Sequence, residues 1–300
     1  MLERYQRQAT ALGSSILLTI ISSQKNSSTV NELLHSLMQY IYGFERQFSR
    51  FRSDSELTKF NNRAGREVTV SNEFRNVLVA AKEYSSITNG MYNPFILPAL
   101  QRAGYVGSWP NPDEYDPVTN FDTGLIAPYM ELTIDHSIAR IPKGTAIDLG
   151  GICKGYVLDR LAELCDNQPG IYGLCFSIGG DIIYAGNDIN SYGWKINLCN
   201  SIKPLRHINI IETKSKLIGV STTDIDKYCG NNWHHIINSE TGLPAKTNYT
   251  RASVCSNSAT ASDVFAKCLI IGGHKFAKSL ISKGYIDSYI LQRKHEPINA

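Results

Sequence analysis

The spacing of apolar residues changes several times along this chain, and each change marks an element. From 11 to 22 the run is close to continuous, with Ile16, Leu17, Leu18, Ile20 and Ile21, the pattern of a strand buried on both faces. Val30, Leu33, Leu34, Leu37, Met38, Ile41 and Phe44 then fall on one helical face. Thr29-Val-Asn-Glu32 in front of them reads as a capping box. Ser53-Asp-Ser-Glu56 reads as a second, opening a short helix to about Asn61. Glu67 to Ser71 predicts a short strand, and Asn72 to about Asn89 an amphipathic helix stopped at Asn89-Gly90. Residues 105–130 hold much of the Pro, Gly, Asn and Asp, which predicts a surface excursion with little regular structure. Short strands are expected at 131–134, 138–141, 174–178, 181–186, 192–198 and 206–212, interrupted by a helix over 156–166. Helices near 260–271 and 274–283 and a strand at 285–292 complete the pattern. Strands and helices are partly segregated, which argues for an α+β fold rather than a doubly wound sheet. With no repeat, low-complexity tract or clear linker, residues 1–300 are expected to form one unit with two lobes, its mixed or antiparallel sheets flanked by helices.

Composition excludes more than it identifies. Hydrophobic content of 42% and charged content of 19% are those of an ordinary globular chain. A net charge of +3 is too small to argue for nucleic acid or an anionic membrane. The seven cysteines, from Cys153 onward, are odd in number and form no C-x-x-C pair. They read as free thiols rather than a disulfide framework or a zinc site. Residues 11–21, preceded by Arg4 and Arg7, have the apolarity of a signal segment. Gln24-Lys25-Asn26 follows instead of a small-residue cleavage site, which favours the strand. No stretch is long enough for a transmembrane helix.

Four segments carry candidate chemistry. In Ala146-Ile-Asp148-Leu-Gly150-Gly151-Ile-Cys-Lys154-Gly155, a strand runs through two glycines into a helix. Paired glycines let backbone approach a ligand, and a helix N-terminus offers free N–H groups to phosphate. Asp148 can accept from hydroxyls or amines, and Lys154 can pair with phosphate. The alternative is a tight strand-to-helix turn. Ser177-Ile-Gly179-Gly180-Asp181 is a similar strand, glycine pair and acid, which taken alone reads first as a hairpin turn. In Trp233-His234-His235-Ile-Ile-Asn238-Ser-Glu-Thr241-Gly242-Leu-Pro244 the adjacent histidines point to opposite faces, so at most one meets a given ligand. Thr222, Thr223 and Asp224 lie just upstream. In Thr260-Ala-Ser-Asp263-Val-Phe-Ala-Lys267, Asp263 and Lys267 share a helical face, as an ordinary ion pair would, and Thr260-x-x-Asp263 has the form of a capping box.

Taken together and in order, these segments resemble the flavin transferase (FAD:protein FMN transferase, or ApbE) family over nearly the whole chain. Leu12-Gly13-Ser14 is similar to its Met-Gly-Thr strand. Phe51, Ser53-Asp-Ser-Glu56-Leu and Asn61 are similar to its Ser-Glu-Leu…Asn segment. Gly90-Met-Tyr-Asn93-Pro94-Phe95-Ile resembles Gly-x-Phe-Asp-Pro-Thr-Val, and Asp148-Leu-Gly-Gly-Ile-Cys-Lys-Gly-Tyr resembles Asp-Leu-Gly-Gly-Ile-Ala-Lys-Gly-Tyr. Gly179-Gly180-Asp181 and His235-Ile-Ile-Asn-Ser-Glu-Thr-Gly-Leu-Pro also fit.

The resemblance implies an ApbE-like, T-fold-related fold. It implies an enzyme that splits the FAD pyrophosphate, attaches FMN to a Thr or Ser hydroxyl of a client protein and releases AMP. Two alternatives stay open: a non-catalytic FAD-binding protein of the same fold, and an FAD pyrophosphatase giving FMN and AMP. Carried over, Met91, Tyr92 and Asn93 would line the adenosine side. Phe51, Asp148, Lys154, Asp181 and Ile236 would complete the FAD site. His235 would assist the incoming hydroxyl, and the Gly151 carbonyl with Asp263 would hold Mg²⁺ in an all-oxygen set. Lys267 stands where the family has a Thr ligand. An ammonium cannot ligate a cation, so it is expected to fill the metal's place and pair with Asp263 or a phosphate. Asn93, Phe95, Asn238 and Thr222-Thr223-Asp224 replace the family's Asp, Thr, Asp and Thr-Ser-Gly. Members are often exported lipoproteins. No lipobox Cys lies near the start here and the cysteines are unpaired, so a cytoplasmic location is expected, or export if residues 1–23 act as a signal. Self-flavinylation is not expected, because no acceptor motif is evident.

Overall fold

Ten residues precede the apolar run and pair with it along their whole length. β1 (Leu2–Ala11) and β2 (Ser14–Ser23) are antiparallel, in register from Leu2↔Ser23 to Ala11↔Ser14. Leu12 and Gly13 make the turn at φ +54° and +62°, the left-handed pair that a two-residue hairpin of this twist requires. The expected strand over 11–22 is thus β2 alone, and residues 11–13 belong to a strand end and a turn. The computed structural model describes residues 1–107, 126–166, 168–190, 193–197, 207–208, 217–225, 229–230 and 233–293.

The first three helices after the hairpin fall where the periodicity puts them, but the caps of the first two do not. α1 (Ser27–Phe48) buries Val30, Leu34, Leu37, Met38, Ile41, Phe44 and Phe48. It starts before Thr29, so Thr29 is not its cap, and Glu32 bonds the Ser28 hydroxyl at 3.1 Å. α2 (Glu56–Asn61) is capped by Ser55, whose Oγ accepts from Thr58 N–H at 3.0 Å, rather than by Ser53. Glu56 instead accepts from Ser71 N–H at 2.7 Å and ties α2 to the next helix. β3 (Val68–Thr69) leads to α3 (Asn72–Ile87), and the chain turns away just past it at Asn89 and Gly90, with φ +51° and +78°. A short α4 (Leu97–Ala103) follows, with β4 (Thr133–Asp135) and β5 (Ile138–Arg140), which form a small sheet of order β3-β5-β4.

The second half supplies the rest of the main sheet. α5 (Cys153–Asp166) begins three residues before the expected 156. β6 (Ile171–Ile178) and β7 (Asp181–Gly186) form a hairpin across Gly179 and Gly180. β8 (Ile196–Asn197) pairs β9 (His207–Ile208). The remainder of the strand expected at 206–212 lies outside the described residues, as do Tyr192 and Leu198. β10 (Ile218–Asp224) is followed by the two-residue strands β11 (Cys229–Gly230), β12 (Trp233–His234), β13 (Ile237–Asn238) and β14 (Leu243–Pro244). Then come β15 (Tyr249–Ser256), α6 (Ala259–Ser282) and β16 (Ser288–Arg293). The sequence reading missed β10 and β15, whose inward positions carry Ser221, Thr223, Ser253 and Ser256.

Seven strands form one antiparallel sheet of order β1-β2-β6-β7-β10-β15-β16. Alternation along each strand separates two cores. Ile20 and Ile183 belong to the large core shared with α1, α5 and α6. Their neighbours Ile21 and Tyr184 join Trp194, Ile196, Ile218 and Val220 on the other face. The fold is α+β. Two glycines set how closely α6 is drawn in: a Cβ on Gly155 would lie 2.4 Å from the Ala259 carbonyl, and one on Gly219 2.3 Å from Ala259 N. α6 breaks at Gly273 (φ +58°), as the two-helix expectation for this region requires.

Asp159 of α5 reaches over to the start of α6. It accepts from Ala259 N–H at 2.7 Å, Thr260 N–H at 2.9 Å and the Ser258 hydroxyl at 2.7 Å. With Ser258 also capping Ala261 N–H, the capping box expected at Thr260 is not formed. Among the described residues, Cys153, Cys165, Cys175, Cys255 and Cys268 are free thiols, and no helix is long and apolar enough to cross a membrane.

Candidate functional site

The chain after Ile147 must turn sharply into α5, and the turn is held from both sides. Asn61 bonds the Ile147 backbone twice, through N–H and carbonyl, each at 2.9 Å. Asp148 N–H donates to the Pro94 carbonyl at 2.8 Å, and Asp148 Oδ1 accepts from Gly150 N–H at 2.9 Å. Asp148 Oδ2 pairs with Arg50 Nε at 3.0 Å. The Arg50 guanidinium lies between two rings, 4.2 Å from the centre of Phe51 and 4.7 Å from that of Tyr105, a cation–π arrangement that fixes its plane.

Arg50, Phe51, Tyr105, Asp148 and Gly150 line a cavity of about 220 Å³ at one end of the sheet. The Leu12-Gly13 turn, Phe51, Asp148, Gly150, Gly151, Lys154, Asp181, Thr222, Thr223, Asp224, His235, Ile236 and Lys267 share its wall with Arg50 and Tyr105. Segments from both ends of the chain thus meet in one concavity. His235 faces it, whereas His234 is used in the fold. His234 Nε2 lies 3.1 Å from the Ala245 carbonyl and Nδ1 accepts from Ile236 N–H at 3.2 Å. The adjacent histidines have different environments, with His235 in a bend just past the strand end at His234.

Three carboxylates at the base are each matched by a cation. Lys154 Nζ lies 2.8 Å from Asp181 Oδ2, and Ser221 Oγ donates to Asp181. Lys267 Nζ pairs with Asp263 Oδ1 and donates to its carbonyl oxygen at 3.0 Å. Asp263 Oδ2 accepts from Gly155 N–H at 3.1 Å. Asp263 is fully buried beneath Lys267 and is not itself part of the wall. Burial works against the charged form of Asp181, but Lys154 and Lys267 outweigh it and hold the carboxyl below its ordinary range. For Asp263 the balance is reversed: burial, with Asp181 nearby, raises its pKa against the pull of Lys267 and Lys154. The buried Cys153 thiol is pushed well up, by burial and then by Asp148 and Asp263, which leaves it protonated and a poor nucleophile.

The Met91-Tyr92-Asn93 segment stands behind this wall rather than in it. Tyr92 is buried, with its ring against Gly151. Asn93 is committed to its own turn, accepting from Phe95 N–H at 3.0 Å and donating to the Ala127 carbonyl at 2.9 Å. Met91 packs by Gly272. Arg50, Tyr105 and Glu45, which also lines the cavity and accepts from Leu12 N–H at 2.6 Å, were not picked out from sequence. Arg50 follows an amphipathic helix like any surface arginine, and its partner Asp148 is far along the chain.

The ApbE family pattern matches residues 12–290. The chain belongs to the ApbE family. A Klebsiella pneumoniae protein named FAD:protein FMN transferase is 25% identical over 98% of this chain and 91% of its own length. One of the same name from Treponema pallidum is 23% identical over 90% and 80%. The Vibrio cholerae flavin transferase ApbE superposes with a TM-score of 0.80 at 22% identity, covering 99% of this chain and 95% of its own. The Thermotoga maritima ApbE protein gives 0.79 at 23%, covering 98% and 97%. These superpositions establish the shared α+β fold.

The Mg²⁺ site that family membership implies does not fit the residues present. Lys267 lies between Gly151 and Asp263, its ammonium seated on the carboxylate. A methylene of Lys267 lies 3.6 Å from where a Gly151 Cβ would sit.

Proposed function

We propose that this protein is an FAD:protein FMN transferase, with FAD as substrate and a client protein's Thr or Ser hydroxyl as acceptor. The observation that carries the reading is the convergence of the Asp148–Lys154 turn, His235 and Lys267 on one cavity. The names of the relatives support the same chemistry. Phosphoryl transfer asks a protein mainly for positioning and charge neutralisation, and Lys154, Lys267 and Arg50 bring positive charge to the wall.

In this reading the client oxygen attacks the phosphorus of the FMN half. A new P–O bond forms to the client, the bond to the bridging oxygen breaks, and AMP departs with that oxygen. His235 accepts the hydroxyl proton. Asp148, held by Arg50, and the open backbone at Gly150-Gly151 orient the flavin nucleotide, with Phe51 and Ile236 as apolar wall and Asp181 holding Lys154 in place. No step is assigned to Mg²⁺.

The test is incubation of the purified protein with FAD and a domain carrying a flavinylation motif. Mass spectrometry follows covalent FMN and chromatography follows AMP. FMN on the client with equimolar AMP is the expected result. AMP alone would replace the transferase with a pyrophosphatase, and bound FAD with neither product would replace it with a binding protein.

A further inference from the structure

Three acids at the cavity base already have their cations. Asp148 holds Arg50 at 3.0 Å, Asp181 holds Lys154 at 2.8 Å, and Asp263 holds Lys267. A divalent ion needs carboxylate oxygens with charge to spare. Both oxygens of Asp263 are taken, one by the ammonium and one by Gly155 N–H. Among the described residues, no three His, Cys, Asp or Glu side chains cluster as metal ligands. A cation entering here would also sit beside an ammonium and be repelled by it.

Lys267 is placed to do more than neutralise Asp263. Its stem passes Gly151, where the lack of a Cβ leaves room, and part of the side chain faces the cavity. Two of its three N–H donors go to Asp263 Oδ1 and to the Asp263 carbonyl. The third is left for an anion. The i,i+4 spacing on α6 fixes the ammonium over Asp263, so the charge is tethered and its presence does not depend on metal concentration.

We propose that Lys267 is the counter-cation for the pyrophosphate of the bound nucleotide, and that this chain binds FAD without a divalent metal. The proposal rests on FAD being the substrate.

The test is equilibrium binding of FAD and of riboflavin to the full chain, in EDTA and in excess MgCl₂, read by flavin fluorescence. Wild-type affinity for FAD should be the same in both media. Lys267→Met should weaken FAD about 10- to 100-fold, the value of a hydrogen bond to a charged group, and leave riboflavin, which has no phosphate, unchanged. Lys267→Thr should make FAD binding depend on Mg²⁺. A wild-type affinity that rises about tenfold or more with Mg²⁺ overturns the proposal, even if neither variant folds. So does an equal loss of FAD and riboflavin in Lys267→Met, which would mark a purely structural lysine. Metal-independent binding without transfer to a client would leave this proposal standing and remove the transferase. FAD binding that needs Mg²⁺, with transfer to the client, would do the opposite.

Discussion

Helices α5 and α6 each lend a carboxylate to the first turn of the other, and the two carboxylates do different work. Asp159 of α5 caps the α6 N-terminus with backbone and hydroxyl donors, at a partly exposed position. Asp263 of α6 accepts from Gly155 N–H of α5 but is wholly buried and carries an ammonium. The geometry is reciprocal while the electrostatics are not. A carboxylate that water still reaches can cap a helix at modest cost. One sealed from water needs a full counter-charge, and here that charge is exposed to the cavity on its other side. The asymmetry separates a structural end of the helix pair from a chemical end.

The comparison is open to breaking by substitution. Asp263→Asn removes the charge beneath the Lys267 ammonium and should cost about 1.5–3 kcal/mol in urea unfolding, the range for a hydrogen bond to a charged group. Gly155→Ala places a methyl 2.4 Å from the Ala259 carbonyl. It should part the helices at both ends and cost about 1–3 kcal/mol. Asp159→Ala removes only caps and should cost about 1 kcal/mol. Equal losses at Asp159 and Asp263 would erase the distinction.

A finer measurement uses pH. Asp181 has its pKa lowered in the folded protein, so its contribution is complete above the ordinary carboxylate value of 3.8 and lost as pH falls through the folded value. Asp263, with its pKa raised, contributes in the opposite sense: above 3.8 its share of stability declines as pH rises. Asp181→Asn should therefore flatten the acid limb of the urea midpoint below pH 3.8, relative to wild type. An unchanged limb would mean that Lys154 does not hold this carboxyl ionised.

The helices were legible in the sequence because each buries one apolar stripe, and α1, α3 and the broken α6 follow their periodicity closely. The caps were less so, since Ser53, Ser55, Thr29 and Ser28 offer equivalent hydroxyls and only the backbone decides among them. β10 and β15 escaped for a physical reason. Strands at the centre of a sheet normally advertise themselves by branched apolar residues. Here Ser221, Thr223 and Ser253 take inward positions, where Ser221 serves Asp181. β1 escaped because so much of it is exposed. The motif segments located most of the cavity wall, from the Asp148 turn to His235. Arg50 and Tyr105 could not be read, because their meaning lies in a three-way stack with Phe51 and a pairing across the fold.

The hairpin that brings Leu12 and Gly13 to the cavity has a consequence at its far side. β1 is one outer edge of the main sheet, and a bare edge invites a strand from another copy to add to it. Glu3, Arg4, Gln6, Arg7 and Gln8 crowd this one with charge and amide, and Arg4 is drawn across to Asp188 at 2.6 Å. An incoming strand would have to bury those groups to dock. The polar pattern that hid β1 from a reading of apolar periodicity is thus the molecule's guard against edge-to-edge aggregation.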